Sequence, residues 1–410
     1  MTLLLTICAA VSLIVQCRSI WIHLTAYGMW VNRGVSLILA AVLIILSVFD
    51  ADGRWNPKIS KDTVKTAIII ILYCLLFVLV NPVHYKRVLR CGLILAVITI
   101  FVRSPGGAKK GKNILTAFKY AMAVVAAVSI ICWVCLSLLH MIDYPWSGDV
   151  YVDWSDNGMS IRRSHFIYIY YETQWFITGY VARNSAIFTE GPMANYCFSI
   201  ALIIDLFIQD DGGLRLKRIT RFLLIAAVVT TFTATGFIVL VIISIDAIIR
   251  RDKSRRISNR TGFEYSYLLV FIIGIIAGAV IYNKIKTESA SIRIDDIKAG
   301  IHAWIDFPVF GVGFENNAYV ARYASPWRLN NIGYSSSIMG VLTDGGIYLF
   351  APYAAALFRI IIKAVSDKLH SQTVFSFIFV YLFAVTIIPY QYITMLIFVL
   401  LINGRLPFKA

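Results

Sequence analysis

Charged residues are scarce in this sequence: they make up 15% of its 410 residues, whereas apolar residues make up 59%. Soluble domains carry about 25% charged and roughly 45–50% apolar residues. A soluble chain of this length would need more charge to cover its surface, whereas a membrane protein exposes apolar side chains to lipid. The composition therefore excludes an ordinary set of soluble domains and predicts a single integral membrane domain over residues 1–410.

Acidic residues are also fewer than basic ones, 22 against 38, and the formal net charge is +16. In a membrane protein such an excess is expected from Lys and Arg in short cytoplasmic loops, so it does not indicate a nucleic acid partner. None of the seven cysteines falls in a long polar loop, which excludes a disulfide framework there. Cys132 and Cys135 form a C-x-x-C within an apolar run, where we expect them to pack rather than to bind metal.

The motifs that bind nucleotides or metals are missing as well. The sequence has no P-loop, no Rossmann fingerprint and no H-E-x-x-H motif. None of the predicted cytosolic segments is large enough to hold a nucleotide. The sequence therefore predicts a function without a cofactor, a metal site or ATP of its own.

What the sequence does contain is a series of apolar runs. A membrane-spanning helix needs about 20 apolar residues, within a range of roughly 17–25. We predict an all-α polytopic membrane protein with about 12 transmembrane helices, within a range of roughly 10–13. No basic segment precedes the first run, so we expect it to be a retained span and not a cleaved signal. The predicted spans are 2–17, 34–49, 64–81, 88–102, 114–140, 191–208, 219–233, 236–249, 265–282, 345–362, 373–388 and 390–403.

Two stretches leave the path of the chain ambiguous. The run 219–249 is too long for one helix, and its centre, rich in threonine from Thr230 to Gly236, predicts a tight hairpin. The run 373–403 is interrupted by Pro389, so it predicts either a hairpin or one kinked helix.

The short loops between these runs predict the orientation of the chain. Segment 103–112 has four basic residues and no acid, segment 209–221 has four and two, and segment 250–260 has six and one. The positive-inside rule assigns these three segments, and with them both termini, to the cytoplasm.

Two large loops, 141–190 and 283–344, then fall on the opposite side of the membrane. Loops of this length are uncommon in compact proteins and are usually functional. The turn at 84–87, His-Tyr-Lys-Arg, falls on the same outer side although it is basic, so it fits the orientation rule poorly.

The outer loops are rich in aromatic residues and in arginine. Aromatic side chains suit sugar rings, but they are also typical of the belt at a membrane interface. Guanidinium groups bind phosphate through bidentate hydrogen bonds, so an arginine cluster would suit a diphosphate ligand. The alternative is that these arginines pair with nearby acids such as Asp295 and Asp296. The outer arginines are Arg162, Arg163, Arg183, Arg293, Arg322 and Arg328.

Two stretches beside the membrane carry more specific patterns. In the first, Arg183 and Glu190 flank a Gly-Pro turn that enters a span. In the second, an amphipathic helix predicted over 292–305 carries Arg293 and runs into a Pro-x-x-Gly-x-Gly turn at 308–313. A serine cluster and a Gly-Gly pair follow before the next span.

In this order, the stretches resemble the bacterial O-antigen polymerase and O-antigen ligase superfamily. Its members have an Arg and a Phe-x-Glu-Pro stretch at the start of a span, a Thr/Ser hairpin, and a large periplasmic loop with Arg followed by Pro-x-x-Gly-x-Gly. The resemblance covers roughly residues 180–355 and implies a GT-C-like helical fold in the bacterial inner membrane, with the loops 141–190 and 283–344 in the periplasm. The matching positions are Arg183, Phe188, Glu190, Pro192, Thr233, Thr235, Gly236, Arg293, Pro308, Gly311 and Gly313.

The resemblance implies a glycosyltransferase that polymerises undecaprenyl-diphosphate-linked oligosaccharide repeats of O-antigen, capsule or exopolysaccharide. It implies that Arg183 and Arg293 stabilise the leaving diphosphate, and it makes Glu190 the candidate general base. The alternative for Glu190 is a structural role, in which it caps a helix or pairs with Arg183. The lipid bilayer, a flippase and a chain-length regulator are the implied partners. The candidate substrate-binding residues are Arg162, Arg163, His165, Arg322 and Tyr334.

Two departures from the superfamily pattern favour a polymerase over a ligase. Ligases usually carry His-Asn or a similar pair at the end of the large loop, where this chain has Tyr-Ser-Ser-Ser at 334–337. They also tend to have Ser-Arg-Gly at the hairpin, where this chain has Thr235-Gly236. The Arg-x10-Gly pattern of some polymerases occurs once, from Arg322 to Gly333.

The alternatives are a ligase and, from another class, a secondary transporter or lipid-linked oligosaccharide flippase. Transporters place charges near the middle of the membrane and often have two similar halves. This sequence has few mid-span charges and dissimilar halves, and its polar residues concentrate in the outer loops. Those features favour chemistry at the membrane surface over translocation.

Overall fold

The chain is predominantly helical and has several strongly apolar helices, as expected for a polytopic membrane protein. The predicted span 265–282 lies, except for Gly278, outside the described residues. The computed structural model describes residues 2–23, 25–50, 53–142, 148–152, 161–171, 175–177, 181–255, 278, 288–328 and 336–409.

The helices follow the apolar runs of the sequence closely. A π-helical turn, Trp133–Leu138, extends α6, and a 3-10 turn, Ala321–Tyr323, follows α11. The helices are α1 (Thr2–Gln16), α2 (Ile20–His23), α3 (Gly28–Ser47), α4 (Lys61–Val80), α5 (Tyr85–Arg103), α6 (Gly107–Cys132), α7 (Gly191–Phe207), α8 (Leu214–Thr230), α9 (Ala234–Arg255), α10 (Glu288–Asp306), α11 (Asn317–Val320), α12 (Ser337–Ser366), α13 (His370–Val385) and α14 (Tyr392–Ile402).

Four of the described helices are long and apolar enough to cross a membrane: α3, α4, α6 with its π-helical turn, and α12. Four shorter apolar helices, α1, α7, α13 and α14, accompany them. The total number of spans therefore stays a prediction.

Helix α7 lies at the centre of the packing. It contacts α6, α8, α9 and α13, and nearly every one of its side chains is buried. A helix that is apolar on all sides is stable only when neighbours surround it. By contrast, α4 exposes a row of large apolar side chains, as expected for a helix that faces lipid: Val64, Ile68, Ile69, Leu72, Leu75, Leu76 and Leu79.

Both ambiguous stretches form hairpins. Helix α8 ends at Thr230 and α9 begins at Ala234, and the Thr233 hydroxyl accepts the backbone N–H of Gly236 at 3.1 Å to cap the new helix. Helix α13 ends at Val385, before Pro389, and α14 begins at Tyr392. The kinked-helix alternative is therefore wrong.

The turns gather at two ends of the bundle. Contacts across the bundle place the α1–α2 turn beside the loop before α7, and the α4–α5 turn beside the loop after α10. We call this the large-loop end. The α5–α6 turn and the loop 208–213 both contact the C-terminal segment at the other end, which we call the basic-loop end.

The basic-loop end is closed by buried ion pairs. Lys119 lies 2.6 Å from Asp210 and 3.4 Å from Asp205, and its side chain is almost fully buried. Arg221 contacts the second oxygen of Asp205 at 3.0 Å. Lys409 donates to the backbone carbonyl of Asp205, so the C-terminal segment joins the same cluster.

The loop before α7 contains short strands that the all-α prediction does not include. Strands β1 (Gly148–Val152), β2 (Ile161–Phe166) and β3 (Tyr170–Tyr171) form an antiparallel sheet. Strands β4 (Trp175–Ile177) and β5 (Val181–Ala182) form a second antiparallel pair.

Candidate functional site

The segment 183–190 is held in place by backbone contacts at the large-loop end. Asn184 donates its backbone N–H to the Thr230 carbonyl at the α8–α9 hairpin, at 3.0 Å. Thr189 donates to the carbonyl of Arg18, and Ile187 accepts from Ile20, so the α1–α2 turn pairs with the same segment. The loop before α7 is therefore fixed between two turns that are distant in sequence.

Glu190 forms an ion pair with Arg18, not with Arg183 as its alternative structural role would require. The Arg18 Nη1 to Glu190 Oε1 distance is 3.2 Å, and both side chains are partly exposed, at 31% and 28%. Glu190 immediately precedes α7, but its carboxylate does not cap the helix. The carboxylate is therefore accessible and held in one orientation by a cation.

Arg183 packs along the start of α7. A Cβ atom added at Gly191 would lie 3.6 Å from Cβ and 3.7 Å from Cδ of Arg183, and 3.5 Å from the Thr231 carbonyl. These ordinary contact distances place the aliphatic part of Arg183 and the Thr231 carbonyl next to the start of α7. Burial lowers the pKa of Arg183, although a guanidinium remains charged.

Arg293 lies on α10 and is half-buried. It lies within electrostatic range of Tyr381 on α13, and the Tyr381 hydroxyl lies in turn beside Thr235. Thr235 belongs to the same hairpin whose Thr231 lies beside Gly191. The hairpin therefore links the surroundings of Arg183 with those of Arg293.

The Pro-x-x-Gly-x-Gly turn interlocks with the Gly-Gly pair of α12. Gly311 has φ +67°, and a Cβ atom there would lie 2.4 Å from the Thr343 carbonyl oxygen. Gly346 has φ +58°, and its Cβ atom would lie 2.4 Å from the Val309 carbonyl oxygen. Val312 donates to the Thr343 carbonyl at 2.8 Å. The turn can therefore approach α12 this closely only because Gly311 and Gly346 have no side chains.

This interlocked turn also explains the basic residues at 84–87. His84 Nδ1 lies 2.8 Å from the Phe314 carbonyl oxygen, and Arg87 forms an ion pair with Glu315. Glu315 in turn donates its backbone N–H to Asp344 at 3.1 Å, beside the Gly-Gly pair. The segment that fits the orientation rule poorly therefore binds the large loop that follows α10.

Residues 219–354 match the O-antigen ligase family. The match covers about a third of the chain and includes the hairpin, Arg293, the Pro-x-x-Gly-x-Gly turn and the Gly-Gly pair. It supports a place in the O-antigen ligase and polymerase superfamily, and an enzyme of that general type. It does not separate a polymerase from a ligase. A search of curated proteins finds no match to the chain.

Arg183, Glu190 and Arg18 precede the matched segment. Their assignment to the same site therefore depends on the contacts described above, and not on the family match.

The other outer-loop candidates that the structure describes, His165, Arg322 and Arg328, each have different surroundings. His165 is buried and stacks on Tyr168 with ring centroids 3.9 Å apart, so it is not presented to the loop surface. Arg322 is exposed, with its guanidinium 4.7 Å from the Tyr319 ring centroid. Arg328 is buried and pairs with both Asp295 and Asp296, which confirms the structural alternative for this arginine.

Three remaining candidates are described only in part. Arg162 and Arg163 lie in β2, opposite Tyr151 and Val150, and this fixes their backbone position alone. Tyr334 lies outside the described residues. Among the part of the chain that is described, no cluster of three or more His, Cys, Asp or Glu side chains has metal-binding geometry.

Sequence reasoning missed the contribution of the N-terminal half to this site. Desolvation by the surrounding protein, followed by the positive charges of Arg18 and Arg87, lowers the pKa of His23 to about 3. Both arginines therefore lie within electrostatic range of His23. The available signal was the basic turn 84–87 on the side where basic residues are disfavoured.

Proposed function

We propose that this protein polymerises undecaprenyl-diphosphate-linked oligosaccharide repeat units at the periplasmic face of the bacterial inner membrane. The family match supports the superfamily, and the contacts at the large-loop end support the site. One observation carries the proposal: the α8–α9 hairpin links the surroundings of Arg183 to those of Arg293. The large-loop end is then the periplasmic end, and the basic-loop end and both termini are cytoplasmic.

In the proposed reaction, a hydroxyl of the acceptor sugar attacks the anomeric carbon of the donor. A new glycosidic C–O bond forms, the bond from the anomeric carbon to the lipid diphosphate breaks, and the electron pair leaves with the diphosphate. Arg183 and Arg293 stabilise the negative charge that develops on this leaving group. The reaction needs no nucleotide because the donor is already activated by its diphosphate.

Glu190 accepts the proton of the attacking hydroxyl in this proposal. Its carboxylate is partly exposed and is oriented by Arg18 at 3.2 Å, so it meets the geometric requirement for a positioned base. An Asn or Gln at this position would keep the hydrogen bond to Arg18 but would not accept the proton.

A ligase is the second candidate, because the matching family is described by that activity. Its chemistry at the donor is the same, but the acceptor differs: a ligase transfers the glycan to a surface acceptor such as lipid A core. The two functions can be distinguished by whether the protein restores glycan synthesis in a strain that lacks its polymerase or in a strain that lacks its ligase.

The proposal is tested by complementation of two strains that carry the cognate glycan locus, one lacking its polymerase and one lacking its ligase. We expect a ladder of repeats in the first strain with the wild-type chain, collapsing to single repeats with Arg293→Ala at equal membrane level. Arg33→Ala is the matched control, since Arg33 is an exposed arginine at the start of α3, near the large-loop end, and its guanidinium stacks over Trp30.

A wild-type chain that leaves only single repeats in the first strain would overturn the polymerase proposal. Transfer of glycan from its lipid carrier to the surface acceptor in the second strain would assign the ligase function instead. A full ladder with Arg293→Ala would remove Arg293 from the site while leaving the polymerase function in place.

A further inference from the structure

An excess of cations lies at the large-loop end, outside the pair Arg183 and Arg293. The start of α5 carries Lys86, Arg87 and Arg90 at the large-loop end, where the orientation rule disfavours basic residues. Arg87 has one carboxylate partner, Glu315, and is still 54% exposed. Carboxylates of the protein therefore neutralise only part of this positive charge.

The α1–α2 turn adds a further cation to the same place. Arg18 has φ +50°, and its backbone is fixed because its carbonyl accepts from Thr189 at 3.1 Å. Arg18 and Arg87 both lie within electrostatic range of His23. Two arginines that are distant in sequence therefore lie on the same side of the large-loop end.

Arg90 is the cation whose surroundings most require an anion. It is half-buried one helical turn below Arg87, and its Nε is buried without a hydrogen-bond acceptor. Among the described residues no carboxylate lies within ion-pair distance of it, and its side chain lies beside the Tyr392 hydroxyl, which is hydrogen-bonded to Ser36 at 2.9 Å. A permanently charged guanidinium at a membrane boundary is costly unless an anion pairs with it.

We propose that Arg18, Arg87 and Arg90 bind the diphosphate of a second polyprenyl-linked substrate, the acceptor of the polymerisation. This inference rests on the proposed function. A polymerase joins two substrates that both carry a lipid diphosphate, and only one of these diphosphates is the leaving group at Arg183 and Arg293. The second diphosphate is retained in the product, so it needs binding but no protonation or charge transfer.

The lipid part of this substrate also has a surface to follow. The end of α4 adjoins the turn that leads into α5 and Arg87, and it exposes Leu76, Leu79 and Val80. A polyprenyl chain lying along this face would bring its diphosphate to the arginines at the membrane boundary. A ligase whose acceptor is not attached to polyprenyl diphosphate would have no use for a second site of this kind.

The test counts bound lipids on the purified full-length protein in nanodiscs of phosphatidylcholine, by native mass spectrometry with undecaprenyl diphosphate. We expect the wild type to bind two molecules. Arg87→Gln and Arg90→Gln should each weaken one of the two binding steps by about tenfold or more, because each removes a charge-assisted contact. Arg293→Gln should weaken the other step, and Arg33→Gln should change neither.

Each outcome decides between distinct conclusions. A single bound lipid that is lost with Arg293→Gln and unaffected by Arg87→Gln would overturn this inference and leave the proposed function standing. No binding by the wild type would count against the proposed function itself. If phosphatidylglycerol displaced the second undecaprenyl diphosphate as effectively as undecaprenyl diphosphate itself does, the three arginines would bind an ordinary phospholipid headgroup, and the inference would be overturned. Arg90→Lys, which keeps the charge, should retain two molecules and controls for misfolding of Arg90→Gln.

Discussion

Glycine at position 346 allows two parts of the chain to approach more closely than any side chain would permit. The residue has φ +58°, and its Cα faces the carbonyl oxygens of Pro308 and Val309. Alanine would meet them at 2.6 and 2.4 Å, well inside contact distance. The substitution would therefore force the turn after α10 away from α12.

We expect Gly346→Ala to destabilise the protein by about 2–4 kcal/mol, from the positive φ and the steric clash together. Activity should fall further, because the turn also positions Arg293 at the other end of α10. Thermal unfolding in detergent measures the first effect and the glycan ladder measures the second.

Gly34→Ala is the matched control, since nothing lies within 4 Å of its added Cβ in α3. That change should leave stability equal or raise it by about 0.5–1 kcal/mol, because alanine is the better helix former. Similar behaviour of the two variants would contradict the interlocked arrangement.

At the residue scale, the sequence identified the charged groups but few of their partners. Arg183, Glu190 and Arg293 stood out by local pattern, and Asp295 and Asp296 were correctly considered as partners of an outer arginine. The partner of Glu190 is Arg18, 172 residues away, and that of Arg87 is Glu315, 228 residues away. Local spacing contains no information on pairs that only the packing of distant turns brings together.

At the scale of elements, the ion cluster of Lys119 joins α6, α7, α8 and the C-terminal segment. Lys119 lies between Asp205 and Asp210, and the Asp205 side chain is fully buried. Without Lys119, Asp205 would keep only Arg221, and Asp210 would lose its cation partner beside a second carboxylate in a poorly hydrated place. Breaking a buried ion pair in this way costs more than the pair itself contributes.

We expect Lys119→Met to lower the free energy of unfolding by about 3–5 kcal/mol. Lys65→Met is the control, because Lys65 is an exposed lysine near the start of α4, at the same basic-loop end. Thermal unfolding in one detergent would compare the two. Equal melting temperatures would show that Lys119 does not hold these elements together.

The same cluster predicts a dependence on pH. Burial alone would raise the pKa of Asp210, but hydrogen bonds from Lys119 and Tyr120 outweigh it and lower the pKa to about 2. The pKa of Asp210 in the folded state lies below its ordinary, unfolded-state value of about 4. Asp210 therefore stabilises the fold fully at pH values above about 4. This stabilisation should be lost as the pH falls from about 4 to 2.

Melting temperatures of the wild type and of Asp210→Asn, measured at pH 6, 4 and 2.5, would test this dependence. The wild type should lose its advantage over the variant as the medium becomes acidic. A constant difference between the two proteins across this range would mean that Asp210 does not carry the effect.

The apolar runs predicted most helices because burial in lipid and burial in protein both require apolar side chains. The hairpins at Thr231–Thr233 and Pro389 were also accessible from sequence, since turn residues interrupt a run. The short strands before α7 were not, because their aromatic and charged residues show no sustained alternation. Short antiparallel pairs of this kind depend on the scaffold beneath them more than on local propensity.

At the scale of the whole molecule, the two ends differ in how they treat positive charge. The basic-loop end carries the short segments rich in Lys and Arg, as in 103–112. At the large-loop end, cations such as Arg18 and Arg87 pair with carboxylates from distant turns. This contrast is what the proposed function requires, with the candidate site in the periplasm.

Chemical labelling of single cysteines tests that orientation directly. In an active background with the seven native cysteines replaced, Lys86→Cys and Gly213→Cys would each introduce one exposed thiol, the first at the start of α5 and the second just before α8. We expect a membrane-impermeant maleimide to label Lys86→Cys on intact spheroplasts, and to label Gly213→Cys only after the membrane is permeabilised. The reverse pattern would put the candidate site in the cytoplasm, where lipid-linked repeats are assembled rather than joined, and the polymerase proposal would fail although every contact described above remained.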